Sequence, residues 1–465
     1  MYLTSLTLHN VRALSNAIFS FANEPRVFLL VGVNGVGKST ALEAMRILLS
    51  NALPLLSESK AKPENFRTSD IQLLQDSLTA EMSGKILNTS FTYIKDAKRE
   101  RAVEDSRSSE QSGKNDGDLI RGQAVKSPNA NDLRNLVRDQ TVETPDATGL
   151  IIIPKNKGKA KLSNQALIDN LNYIAYSPRV LRFPLAVFYS PHRSIVRRAL
   201  ENKRRTVVGQ ALAYSEALLP ERNFQLAEFA YWWKTQEVTR KSEDLANLVN
   251  AFTEAVTTFL PQCQSLTLDR ENNTLQITKG GRTIDVEQLS DGEKSVLTLT
   301  LDLTRRLFTA NPDLPHPTKQ GIAIVLIDEI DMHLHPTWQR QIVKRLEATF
   351  RRCQFIVSTH SPQVIGEVEP ERISLIVVED EEVKVYPVYQ AFGMDSNWIL
   401  REIMDADERD KDTKEMLNEL FRMIARREVP EAQKMITELK ERLNGDTAQL
   451  QQAAGTIQRI QAVGR

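Results

Sequence analysis

The sequence predicts an α/β fold: a core of buried strands and helices, a helical insertion and an α-helical C-terminal tail. Three observations carry this. The runs "VFLLVG" (27–32), "IAIVLIDEID" (322–331) and "QFIVSTHSP" (354–362) are apolar without alternation, as strands buried on both faces are. Helical spacing follows the first in "GVGKSTALEAMRILLS" and separates the other two in "WQRQIVKRLEATF". From Gly393 onward the pattern is helical and rich in charge.

Taken in order, residues 2–8 alternate as a short strand and "FSF" (19–21) reads as another. "ILNTSFTYIK" (86–95) is strand-like. From about Lys98 to Thr148, Ser, Asp, Asn, Lys, Arg and Gly dominate and periodicity fades, so a flexible or partly helical insertion is expected. "FPLAVFYSP" (183–191) is a strand, and residues 209–260 carry helical spacing. "SLTLD", "TLQITKGG" and "RTIDV" give a hairpin-like meander. "EKSVLTLTLDLTRRLF" (293–308) predicts an amphipathic helix. "ISLIVVED" and "VKVYPV" add two strands.

The 465 residues, 41% hydrophobic, suffice for two or three domains or one large domain with insertions. Lys plus Arg and Asp plus Glu balance at 60 each, so any electrostatic partner has to be met by a local patch. Cys263 and Cys353 lack CxxC spacing, which argues against a disulfide framework or structural zinc. The opening "MYLTSLTLHNVRAL" has no basic or long apolar region, and nowhere do about 18 apolar residues run together. The expectation is a cytoplasmic protein with no membrane partner.

"GVNGVGKST" (32–40) fits G-x-x-x-x-G-K-[ST]. Glycines let backbone N–H groups turn inward around a phosphate, and the following helix offers it a positive N-terminal end. Lys38 would reach the β- and γ-phosphates, and the Ser39 hydroxyl would help hold Mg²⁺. A Gly-rich turn alone would explain the glycines; the strand–loop–helix order favours a nucleotide cradle of Gly32, Asn34, Gly35, Val36, Gly37, Lys38, Ser39 and Thr40. In "IVLIDEID" (324–331), Asp328 and Glu329 stand where a buried strand meets solvent. A carboxylate there can orient Mg²⁺, which suits Asp328; its neighbour Glu329 can polarise an attacking water. His360 ends another buried strand and could contact the γ-phosphate or the water. His333 and His335 with Asp331 invite a metal reading, but no further ligand pair accompanies them.

Together "VGVNGVGKST", "LSDGEKSVL", "VLIDEID" and "VSTHS", in that order, resemble the ABC-type P-loop ATPase superfamily, in the soluble branch containing SMC and RecF proteins. "LTLHNVRAL" resembles that branch's opening strand and loop, which implies a nucleotide contact for Arg12. The resemblance implies ATP and Mg²⁺ as cofactors. It also implies that "LSDGEKS" is a signature segment whose Ser290, Asp291, Gly292 and Glu293 meet ATP bound by a second copy of the chain. Higher oligomers are compatible with this. Gln72, Gln75 or the "SPHRS" loop could supply the family's Q-loop residue. The domains expected are an N-terminal ATPase lobe (1–97), an insertion with one lobe strand near 183–189 (98–260), a C-terminal lobe (261–392) and a helical tail (393–465). The stretch between Thr40 and Ser290 is short for long coiled-coil arms and lacks sustained heptads.

"FAYWWKTQE" and the tail from "YQAFGMDSNW" onward resemble the ATPase subunit of Septu anti-phage systems, also found in some retron defence systems. That implies an HNH endonuclease partner. DNA, or a retron's RNA–DNA and reverse transcriptase, stay open as further partners. The basic run 192–205, including Arg193, Arg197 and Arg198, could meet nucleic acid phosphates or be a solvated face. Phe224, Phe229, Tyr231, Trp232 and Trp233 fit a helix core better than a stacking platform. Two rivals share the ATPase: an OLD-type nuclease, in which "LIVVEDEEV" and "DAD" (405–407) would be Toprim acids, and a RecF-like DNA clamp. Against the first, no Gly follows the first acid, and "DAD" follows helical rather than strand spacing.

Overall fold

The computed structural model describes residues 1–22, 24–56, 63–86, 89–98, 151–152, 185–191, 195–196, 209–221, 224–269, 274–407 and 409–463. The charged insertion beyond Lys98 and most of the basic run 192–205 lie outside the described residues. The strands are β1 (Tyr2–Val11), β2 (Leu14–Ser20), β3 (Val27–Val31), β4 (Ser77–Ile86), β5 (Thr89–Lys98), β6 (Ile151–Ile152), β7 (Leu185–Tyr189), β8 (Ile195–Val196), β9 (Phe224–Gln225), β10 (Cys263–Asp269), β11 (Thr274–Lys279), β12 (Arg282–Asp285), β13 (Ala323–Ile327), β14 (Cys353–Ser358), β15 (Ile373–Glu379) and β16 (Glu382–Pro387).

The unalternated apolar runs meet in one six-stranded sheet, ordered β16-β15-β3-β14-β13-β7. The inner pairings are all parallel, and only β16 runs antiparallel at its edge. One face buries Val27, Leu29, Val325, Ile327, Phe355 and Val357; the other buries Phe28, Leu30, Ile324, Leu326 and Ile356. Burial on both faces is what a parallel sheet demands of its sequence. The Lys38–Leu56 helix lies between this sheet and a second one, β2-β1-β4-β5-β6, touching β13 and β14 on one side and β1, β4 and β5 on the other.

The opposite face of the parallel sheet is covered by helices Leu226–Thr239, Ser242–Phe259, Asp291–Ala310 and Pro336–Thr349, beside the antiparallel meander β10-β11-β12. Phe224, Phe229, Trp232 and Trp233 are buried there with Phe252, while Tyr231 is exposed. The expected amphipathic helix is corrected. Asp291–Ala310 is buried almost all round, because elements cover it on several sides and Thr300, Asp302 and Arg306 find buried partners. Asp302 accepts from Arg306 Nε at 2.9 Å and from the Tyr189 hydroxyl at 2.9 Å, and Thr300 donates to the Val296 carbonyl.

The tail helices Lys411–Ala425, Val429–Arg442 and Ala448–Val463 bury Leu417, Leu420, Ala432, Ile436, Leu439, Leu450 and Ile457 in a core of their own. Among the described residues, no helix is long and apolar enough to cross a membrane.

Candidate functional site

β3, β14 and β13 are neighbours and parallel, so their carboxyl ends open on the same edge of the sheet, where ligands of such sheets bind. From β3 the chain turns through Gly32–Gly37 into the helix that starts at Lys38. Gly35 (φ +84°) and Gly37 (φ +108°) have left-handed backbone that L side chains avoid. A Cβ at Gly37 would fall 2.8 Å from Leu14 Cδ2, whereas Gly35 faces open space. Lys38 Nζ donates to the carbonyl oxygens of Gly32 (2.9 Å) and Val33 (2.8 Å). Ser39 is exposed at the helix start; Asn34 is exposed, and Val36 and Thr40 are buried. A loop with these glycines, a helix N-terminus and a lysine fits a nucleotide's phosphates, and Ser39 and Asp328 are the oxygen donors Mg²⁺ prefers.

Asp328 is the first residue past β13, and Ser358 ends β14. The register pairs Ile327 with Val357, so these next residues stand side by side. The Ser358 hydroxyl donates to Asp328 Oδ1 and accepts from the Glu329 N–H at 2.8 Å. Glu329 adopts φ +49°, a turn that carries its side chain away from the strand line. Asp331 Oδ1 accepts from the Thr359 hydroxyl and from the His360 N–H. Burial pulls the Lys38 ammonium down to about 8, against the opposing carboxylates of Asp328, Glu329 and Asp331. Burial and the Lys38 charge push His360 below its ordinary value, and the same three carboxylates oppose this. Strand register and these hydrogen bonds set Asp328, Glu329, Asp331 and His360 together, within electrostatic reach of Lys38.

Ser290, Asp291, Gly292 and Glu293 stand elsewhere, at the N-terminus of the Asp291–Ala310 helix. Ser290 is its N-cap and forms a capping box with Glu293. Ser290 and Asp291 are exposed. A Cβ at Gly292 would collide with the His333 carbonyl, so this end is pressed against the loop that follows Asp331.

Other sequence candidates have their own partners. Arg12 lies between β1 and β2 and is ion-paired to Asp70 at 2.8 Å. Gln72 donates to Ser15, and the backbone N–H of Gln75 donates to the Gln72 carbonyl. His335 caps the Pro336–Thr349 helix, accepting from the Thr337 N–H. Among the described residues, no three or more His, Cys, Asp or Glu side chains are placed so that they could hold a metal ion by themselves. Asp380 and Glu381 form the tight turn between β15 and β16, with φ +53° and +65°. Asp407 is ion-paired to Lys414. Sequence reasoning does not single out Ser358 or Thr359, and takes Asp331 only as a companion of His333 and His335: their part here follows from strand order, which one sequence does not print.

A family described as "AAA domain, putative AbiEii toxin, Type IV TA system" matches residues 27–366. The chain is 28% identical over 435 residues to "Retron Ec83 probable ATPase" of Escherichia coli, covering 88% of this chain and 77% of that protein. It is 41% identical over 157 residues to "Retron Vc95 probable ATPase" of Vibrio cholerae serotype O1 biovar El Tor, covering 33% of this chain and 30% of that protein. It is 36% identical over 101 residues to "Septu protein PtuA" of Bacillus mycoides (strain KBAB4), covering 22% of this chain and 13% of that protein.

Proposed function

Since the chain belongs to this AAA-domain family and is an ATPase, we propose that it hydrolyses ATP with Mg²⁺ between two copies of itself, and that this cycle controls a separate HNH endonuclease in an anti-phage defence complex. The observation that carries the hydrolytic site is the gathering of Lys38, Asp328, Glu329, Asp331 and His360 at adjoining strand ends. The loop N–H groups and Lys38 hold the β- and γ-phosphates; Ser39 and Asp328 hold Mg²⁺, which offsets phosphate charge when bound. Glu329 aligns the attacking water, and Ser358 fixes both its backbone and the Asp328 carboxylate. His360, held neutral by burial, contacts the water or the γ-phosphate. The exposed Ser290 end serves the other copy's nucleotide. The Septu and retron names of the relatives support the defence setting; the nuclease partner rests on the likeness of the tail to the Septu ATPase subunit, and turnover is slow or conditional. The tail bundle, with its own core, is the surface for partner or self association.

Lys38→Ala is expected to lose nucleotide binding. Glu329→Gln is expected to bind ATP and hydrolyse it at least about 100-fold more slowly. Lys38→Ala and Ser290→Arg chains, each inactive alone, should recover hydrolysis when mixed, because one composite site is then intact. No recovery in proven mixed dimers overturns the shared site. Co-purification with the nuclease, followed by plasmid cleavage with and without ATP, tests effector control. Metal-dependent cleavage by this chain alone, lost on changing Asp405 and Asp407, overturns it.

A further inference from the structure

Resting on the reading of Ser290 as a contact to a second copy's ATP, we infer that Lys279 is a positioning residue for that contact: it anchors and neutralises Glu293, so the incoming phosphate meets the Ser290 end without an opposing charge. Lys279 ends β11, where Gly280 and Gly281, at φ +56° and +75°, turn the chain directly into β12. That hairpin delivers its ammonium to the start of the Asp291–Ala310 helix, 2.5 Å from Glu293 Oε1. The other carboxylate oxygen, Oε2, accepts from the Ser290 N–H at 3.1 Å and from the Ser290 hydroxyl at 2.9 Å. Both oxygens of Glu293 are therefore committed.

Glu293 is 8% exposed, so water screens its charge weakly. Burial would lift its carboxyl, but Lys279 and the two Ser290 donors outweigh that and hold it below the usual carboxylate range. The ionised group thus stands one hydrogen bond away from the hydroxyl that has to reach a polyanion. Two consequences follow. Without Lys279, Glu293 would repel the phosphate that Ser290 is meant to receive. A carboxylate already shared with an ammonium is also a weaker acceptor, which lets the Ser290 hydroxyl swing from Oε2 to a phosphate oxygen. The pair lines a cavity of about 210 Å³ with Cys263, Trp338, Gln341 and Arg345, which leaves room for a substituted side chain at 279.

The test uses the full chain carrying Glu329→Gln and reads ATP-driven self-association by light scattering, with fluorescent ATP analogue binding to the separate chain as control. Lys279→Met is expected to leave analogue binding within about twofold and to weaken association about tenfold. Adding Glu293→Gln, which removes the charge left without its ammonium, should restore most of that loss, and Lys279→Arg should associate as the parent does. A purely structural cap would respond in the opposite way, the double change being worse than the single one. Lys279→Met that associates like the parent overturns the inference, as does a Glu293→Gln that fails to rescue at unchanged melting temperature. If Ser290→Arg chains by themselves associate with ATP and hydrolyse it as the parent does, it is the underlying reading of the segment that falls.

Discussion

Ser358 serves two neighbours with one hydroxyl, donating to Asp328 and accepting from the Glu329 N–H. Ser358→Ala removes both bonds without touching the phosphate loop. Turnover is expected to fall about 10–100-fold while ATP binding is retained, in steady-state assays against binding titrations. Lys38, Asp328 and Glu329 were legible because each stands beside an apolar run at a loop. Ser358 was not, because its role depends on β13 and β14 being neighbours in register. Lys38 also gives a pH signature. Its folded value of about 8 lies below the ordinary lysine value, so the burial cost of its charge is present in full below about 8 and is relieved as pH rises above it. Bound phosphates favour the charged form. ATP binding near pH 8.5 is therefore expected to take up protons, seen as a dependence of calorimetric enthalpy on buffer ionisation. Lys38→Arg, permanently charged, should abolish that dependence.

At the scale of elements, the helix Asp291–Ala310 defeated its sequence pattern. Thr, Asp and Arg spaced between leucines suggest a wet face, yet Asp302 and Arg306 are each 2% exposed. They are tolerated inside because they pair with each other, with Tyr189 and, through Arg306, with the carbonyls of Ala213 and Ser215. Pattern reading scores residues one at a time and does not see such mutual satisfaction. Asp302→Ala leaves the Arg306 guanidinium buried without its carboxylate and is expected to cost about 3–5 kcal/mol in urea unfolding. Replacing both with apolar residues of similar size should recover much of that loss. The strands β3, β13 and β14, by contrast, were legible in their starts to within a residue, since burial on both faces leaves an unbroken apolar run, whereas the runs read for β13 and β14 extend four residues past the strand ends at Ile327 and Ser358. A smaller effect is expected at Asp395, which caps the Ser396–Glu402 helix by accepting from the N–H groups of Asn397 and Trp398. Asp395→Ala should lower stability by about 1 kcal/mol, read as a shift in the melting transition.

For the whole molecule, the tail helices close a core separate from the two that flank the parallel sheet. A chain ending at Asp407 is expected to keep ATP turnover within about twofold and to lose association with its partner, as gel filtration of the mixture would register. Loss of turnover with loss of the tail would mean that the bundle supports the body. The order of strands in the sheet has a further consequence, for how the protein is made. β3 ends at Val31, and both of its partners, β14 and β15, begin at Cys353 or later. On the ribosome, the segment that grips nucleotide emerges about 320 residues ahead of the strands that shelter it. Throughout that interval an apolar ribbon waits with both edges unpaired, a state that chaperones bind and that invites aggregation. Closure of such distant segments also makes for slow folding. Chains terminated before β14 and β15 would carry the loop and yet be unable to hold ATP, so nucleotide grip waits for those two strands.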